Sequence, residues 1–242
     1  MTSRLLKISF GGRHHALVEK VRELTWEQFG AWLVKMPPES DDKESRGWYS
    51  GALFSDNYRH SDNFISRDLL TFDFDHVDEN AYDALAYLFR NTAHALYTTW
   101  SHKAEGKGDR FRLVVPLTRP VSYDEFQAIS RKVGERIGIE MVAGESHVPC
   151  QFMYQPLRRP GAEFRGDLNS TSPVLDADIV LAQYADWTDR ASWPRRATGD
   201  NVGDPGTISS PLDKPGIIGA FCRAFSIEAA IEKFELPYKR VR

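Results

Sequence analysis

Apolar residues recur along this chain at two spacings, every second position in some stretches and every third or fourth in others, which separates strands from helices. LLKISF, from Leu5, is extended in pattern. Thr25 to Gln28 then forms a capping-box sequence ahead of Phe29, Trp32 and Leu33 at helical spacing, and Pro37 and Pro38 stop that helix. ESDDKESRG reads as an exposed loop, followed by two extended runs, WYSGALF and NFISRDLLTFDFDHV. Asp78 is placed to cap a helix carrying Leu85, Leu88 and Phe89 on one face. HALYTTWSH is a strand, KAEGKGD a glycine-containing turn and FRLVVPL a further strand. Ser122 and Glu125 make a second capping box, Phe126, Ile129, Val133 and Ile137 a buried stripe, and Gly138 a stop. QFMYQP closes the series as a strand. The order strand, helix, strand pair, helix, strand predicts an α+β fold: a mixed, RRM-like sheet packed with helices.

Past Leu181 aliphatic residues thin out and Gly, Pro, Ser and Asp dominate, as in linkers. The pattern therefore predicts a catalytic-sized domain over 1–186, a linker over 187–212 and a small helical C-terminal segment over 213–242 with Ser226 as its N-cap. With 242 residues there is ample length for one core. The formal net charge of -3 gives no bulk attraction to nucleic acid, so any such binding must come from a local basic face. Cys150 and Cys222 are far apart among apolar neighbours, which suits reduced structural thiols. No apolar run reaches membrane-spanning length, and the cytoplasm is the expected compartment.

In the strand LLTFDFDHV, alternation sends Leu70, Phe72 and Phe74 to one face and Thr71, Asp73 and Asp75 to the other. Two carboxylates separated by two residues of strand lie about 6 to 7 Å apart at their α-carbons, and their repulsion calls for cations. A divalent ion such as Mg²⁺ or Mn²⁺ meets that need; so do salt bridges to Arg or Lys. His102 ends the next strand, with Ser101 before it and Lys103, Lys107, Arg110 and Arg112 after it around Gly106 and Gly108, a plausible cradle for a triphosphate. Arg112, projecting opposite Phe111 and Leu113, needs a fixed anionic partner, either a phosphate or one of the aspartates. Arg59, Asn63 and Arg67 alternate with Tyr58 and Phe64, a mixture that suits a nucleic-acid strand, and Arg158 is a further candidate phosphate contact.

LLTFDFDHV, then TTWSHKAEGKGDRFRLVVPLTRPV, then SHVPCQFMYQP, in this order over about residues 50–185, resemble the archaeo-eukaryotic primase superfamily. The likeness is to the primase-polymerase domains of phage, plasmid and mobile-element replication proteins. It implies DNA primase or polymerase activity using nucleoside triphosphates, a DNA template and primer, and Mg²⁺ or Mn²⁺. In its terms Asp73 and Asp75 hold metal, His102 contacts the nucleotide phosphates, and Ser101, Lys103, Arg110, Arg112 and Gln151 complete the nucleotide site. The resemblance also expects a third acid near Ala143: either Glu145 or Glu140 substitutes, or the loop register differs, or the acid is absent and the site impaired. The segment KPGIIGAFCRAFSIEAAIEKF is similar to the stretch that lies after this domain in replication proteins continuing into a helicase. Two other readings remain: a single-stranded DNA-binding module that lacks the third acid, and a metal-dependent nuclease.

Overall fold

Both capping boxes form. Thr25 and Gln28 exchange their reciprocal bonds and open α1 (Trp26–Val34), and Ser122 and Glu125 do the same for α3 (Tyr123–Ile137). Gly138 stops α3 at φ 108°, a conformation that side chains other than hydrogen rarely adopt. The chain is seen here as a computed structural model that describes residues 4–77 and 80–196. Asp78, the expected cap of α2 (Ala81–Leu88), and the helical segment expected over 213–242 lie outside the described residues.

Two sheets result. The first runs in the order β2 (Lys20–Leu24), β1 (Leu6–Gly11), β3 (Trp48–Ser50), β8 (Met153–Tyr154). The second runs β4 (Ala52–Phe54), β5 (Phe64–Val77), β7 (Asp109–Val121), β6 (His94–Thr98), β9 (Gly166–Asn169). The α+β class stands, with neighbouring strands antiparallel in both sheets. The succession β5, α2, β6, β7, α3 is the RRM-like core, with β7 inserted between β5 and β6. β5 and β6 are thus separated by β7, yet both run antiparallel to it and end on the same edge.

WYSGALF is not one strand: Gly51 passes the chain from the first sheet to the second. A β-carbon at that position would lie 2.8 Å from the Leu69 β-carbon, so only glycine allows the close crossing. The two faces of the second sheet bury different sets. Leu70, Phe72 and Phe74 pack with Leu113, Val115 and the stripe of α3, Phe126, Ile129 and Val133. Leu69, Ala95, Tyr97 and Val114 pack on the other side with α1 and the first sheet. The odd-numbered positions of β5, Thr71, Asp73 and Asp75 among them, therefore face the space between the sheets.

The expected linker begins too early. Residues 187–196 belong to the folded unit: Trp193 is buried with Trp187 packed beside it, Arg190 pairs with Asp124 at 2.8 Å, and Arg131 donates to the Pro194 carbonyl. A low aliphatic content concealed this, because two tryptophans do the burying. β2, β9 and the short helix α4 (Ala177–Leu181) also lie outside the strands and helices that the pattern predicts.

Candidate functional site

Cross-strand register decides what the two aspartates meet. On β5 and β7, Asp73 stands opposite Arg112 and Asp75 opposite Arg110, and directly opposed residues share a face. Arg112 closes a two-pronged bridge on Asp73, Nε to Oδ1 at 2.6 Å and Nη2 to Oδ2 at 3.1 Å. Arg110 donates to Asp75 at 2.6 Å. In this state, then, the cation that answers each carboxylate is an arginine.

The two bridges differ in depth. Asp73 and Arg112 side chains are 28% and 9% exposed, whereas Asp75 is 48% exposed. Arg112 also donates to the Tyr97 hydroxyl at 3.2 Å and to the Tyr154 carbonyl at 3.1 Å, and Tyr97 joins Tyr49 at 2.8 Å. Burial opposes the Arg112 charge, but Asp73 and the two tyrosines outweigh it and hold its pKa above the ordinary value. Burial raises the pKa of both tyrosines, so they serve here as neutral hydroxyls.

The two aspartates, their arginines, Tyr97 and Tyr154 line a cleft of about 210 Å³ between the sheets. Of the residues singled out in the sequence, Asp73, Asp75, Ser101, Arg110 and Arg112 line it, together with Lys43, Trp100, Tyr154 and Gln155, which the sequence did not single out. Lys43 sits in the loop taken as plain solvated surface. Gln151, assigned to the nucleotide site, lies elsewhere: its carbonyl accepts from Ser50 and Arg67 beneath β3, and Gln155, four residues on, faces the cleft instead. Lys103 is exposed in the turn at φ 49° and does not line the cleft.

His102 also stands behind the lining, at the base of the β6–β7 turn. Its Nδ1 accepts the Arg110 N–H at 3.1 Å, which in the neutral ring leaves the proton on Nε2. Arg159 holds the same turn by donating to the Trp100 and His102 carbonyls. Burial lowers the His102 pKa below its ordinary 6.5, ahead of the opposing pull of Asp109. As pH falls below 6.5, the unfolded ring takes up a proton that the folded ring resists. Stability contributed by the neutral ring is thus present above that value and declines beneath it. Denaturant midpoints measured from pH 7.5 to 5.5 should fall more steeply for the native chain than for His102→Gln; equal slopes would contradict this.

Among the described residues no third acid joins Asp73 and Asp75. The Ala143 N–H donates to the Asp73 carbonyl at 2.9 Å and Val142 bridges Phe74, so Ala143 lies opposite Asp73 and its methyl shares that face. Glu145 is exposed in the short turn Gly144–His147, and Glu140 pairs with Arg196 at 3.5 Å. Among the described residues no group of three or more His, Cys, Asp or Glu is arranged to hold a metal ion. Asp73 and Asp75 fit an ion bound by two carboxylates that draws its other ligands from water and phosphate, the usual habit of Mg²⁺. They do not make an all-protein cage.

The residues expected to grip DNA are mostly engaged internally. Arg67 is 1% exposed and donates to the Leu69, Pro149 and Gln151 carbonyls and the Thr71 hydroxyl, with its guanidinium 4.5 Å from the Phe126 ring centre. It is a core cation, which corrects its assignment to DNA. Arg59 donates to the His15 and Cys150 carbonyls and stacks on Phe152; Asn63 bonds Asp56 and the Tyr58 carbonyl; Arg158 pairs with Glu39 at 2.5 Å. Cys150 is a buried free thiol, and Cys222 lies outside the described residues. No helix among the described residues is long and apolar enough to cross a membrane.

A family model described as the VapE N-terminal domain matches residues 8–196. The chain belongs to the VapE N-terminal domain family. That membership agrees with the resemblance to archaeo-eukaryotic primase-polymerase domains of mobile-element replication proteins. Among solved structures the chain is similar to the AEP domain of the cyanophage S-2L primase-polymerase, at 12% identity and a TM-score of 0.44 over 74% of this chain and 88% of that one. The curated proteins contain no match.

Proposed function

We propose that this domain carries out metal-dependent, template-directed nucleotidyl transfer as the primase-polymerase part of a mobile-element replication protein. The observation that carries the reading is that both strand aspartates share one cleft with Arg110, Arg112, Lys43 and Ser101. Carboxylates and cations in one cleft suit a nucleoside triphosphate together with a divalent ion. A bound Mg²⁺ or Mn²⁺ would neutralise phosphate charge and favour deprotonation of a primer 3′-hydroxyl.

The chain's own residues supply the rest. Asp73 and Asp75 would hold the ion, and for that each must loosen its arginine. A triphosphate offers the guanidiniums another anion, so Arg110 and Arg112 are suited to turn from carboxylate to phosphate as substrate enters. The 3′-hydroxyl oxygen then attacks the α-phosphorus, pyrophosphate departs, and one phosphodiester replaces one phosphoanhydride. Lys43 and Arg110, both lining the cleft, would offer cations to the leaving group. The Tyr49–Tyr97 pair anchors Arg112 from beneath.

A second reading, a non-catalytic single-stranded DNA-binding module, draws support from the methyl of Ala143 opposite Asp73. One assay separates the two. Template, labelled nucleotides and Mn²⁺ are incubated with the chain, with and without a primer. The proposal expects products longer than the primer; DNA binding with no product favours the second reading, and strand cleavage without added nucleotides makes the protein a nuclease.

A further inference from the structure

A second groove adjoins the cleft and shares Gln155 alone with its lining. Its volume is about 260 Å³, and its walls include Lys20, Arg22, Arg46, Trp32 and Gln155. Three cations and no acid line it. β2 explains the asymmetry. Alternation along this strand turns Lys20, Arg22 and Leu24 to one face and Val21 and Glu23 to the other. Charges that merely guard a sheet edge need no such sorting by sign.

The groove face is also aromatic. Lys20 and Arg22 lie 5.9 and 5.7 Å from the centre of the Phe10 ring, and Trp32 of α1 meets Phe10 edge-on at 5.8 Å. Two features join this groove to the cleft. Gln155 lines both, and Arg46 donates at 3.0 Å to the carbonyl of Pro156, itself a cleft residue.

We infer that this groove seats a single strand of DNA running toward the cleft, with Lys20, Arg22 and Arg46 on its phosphates and Trp32 beside its bases. The ligand is chosen by charge complementarity and by the mixture of cations and aromatic surface, which accepts any sequence. That the strand is the template or primer rests on the proposed function; the binding itself does not. It also supplies the local basic face that a chain with a net charge of -3 requires to hold DNA.

The test measures fluorescence anisotropy of a labelled single-stranded oligonucleotide with the whole chain, with neither metal nor nucleotide present. Lys20→Ala/Arg22→Ala should weaken binding about tenfold and lower the slope of log K against log salt by about 1.4, near 0.7 per lost phosphate contact. Lys132→Ala/Arg136→Ala, an equal loss of charge on α3 across the second sheet, should leave both unchanged. The inference is overturned if the native chain does not bind the strand, if the groove variant binds normally, or if the two double variants lose equally. Weakened binding by the groove variant in a protein that makes no DNA product would keep this inference and reject the catalytic reading. Normal binding by that variant in a protein that extends primers would do the reverse.

Discussion

Asp73→Asn and Asp75→Asn are expected to lose template-dependent synthesis to the same degree, about a thousandfold, while differing in what they do to the fold. Each removes one of the two carboxylates that a divalent ion would use, so neither variant keeps the donor set. The stability effects follow from depth. Asp73 neutralises a guanidinium that is 9% exposed and whose other hydrogen-bond partners among the described residues are a hydroxyl and a carbonyl. Removing its charge leaves Arg112 buried without a counter-ion and should cost about 3 kcal/mol. Asp75 and Arg110 meet nearer water, with the carboxylate 48% exposed, and that pair should be worth less than about 1 kcal/mol. Primer extension and urea unfolding on both variants check the pattern. Synthesis at native rates in either variant would remove the carboxylates from the chemistry, and equal midpoints would contradict the difference in burial.

Ala143→Asp should raise affinity for Mn²⁺ at least tenfold and increase primer extension. Backbone pairing places this position opposite Asp73 and on the same face, so the new carboxylate would join Asp73 and Asp75 as a third oxygen donor. Ala143 is only partly buried and makes no side-chain hydrogen bond as the residue before the Gly144–His147 turn, so an aspartate can enter without displacing a partner. Titration with Mn²⁺ followed by electron paramagnetic resonance reads the affinity independently of catalysis. Unchanged affinity would show that the facing register does not bring the carboxylate to the pair.

Elements with local signals were legible in the sequence. The two capping boxes, the glycine stop of α3 and the alternation in β5 each depend on residues close together in the chain, and each formed as read. The side of β5 that carries Asp73 and Asp75 came directly from period two. Long-range pairing, by contrast, required the folded chain. Nothing local in FRLVVPL says that β7 enters between β5 and β6, yet that insertion is what sets Arg110 and Arg112 opposite the aspartates. The same limit explains the nucleotide assignments. QFMYQP yields only a two-residue strand, β8, so the glutamine that reaches the cleft is Gln155 and not Gln151. Arg67 was misread for a different reason: a buried arginine satisfied by carbonyl groups and an aromatic ring has the same local spelling as one exposed to DNA.

The one-residue passage through Gly51 between sheets has a kinetic consequence. β3 and β4 are consecutive in the chain but belong to different sheets, and the last partner of β3 is β8, which arrives after α3. The first sheet therefore cannot close its outer pair until most of the domain has been synthesised, whereas β5 to β7 and α3 can associate earlier through nearer contacts. The cleft walls come from both assemblies. During synthesis, the acidic strand and its arginines can be in place well before Tyr154 and Gln155, so the cleft is finished by one of the final strand pairings to form.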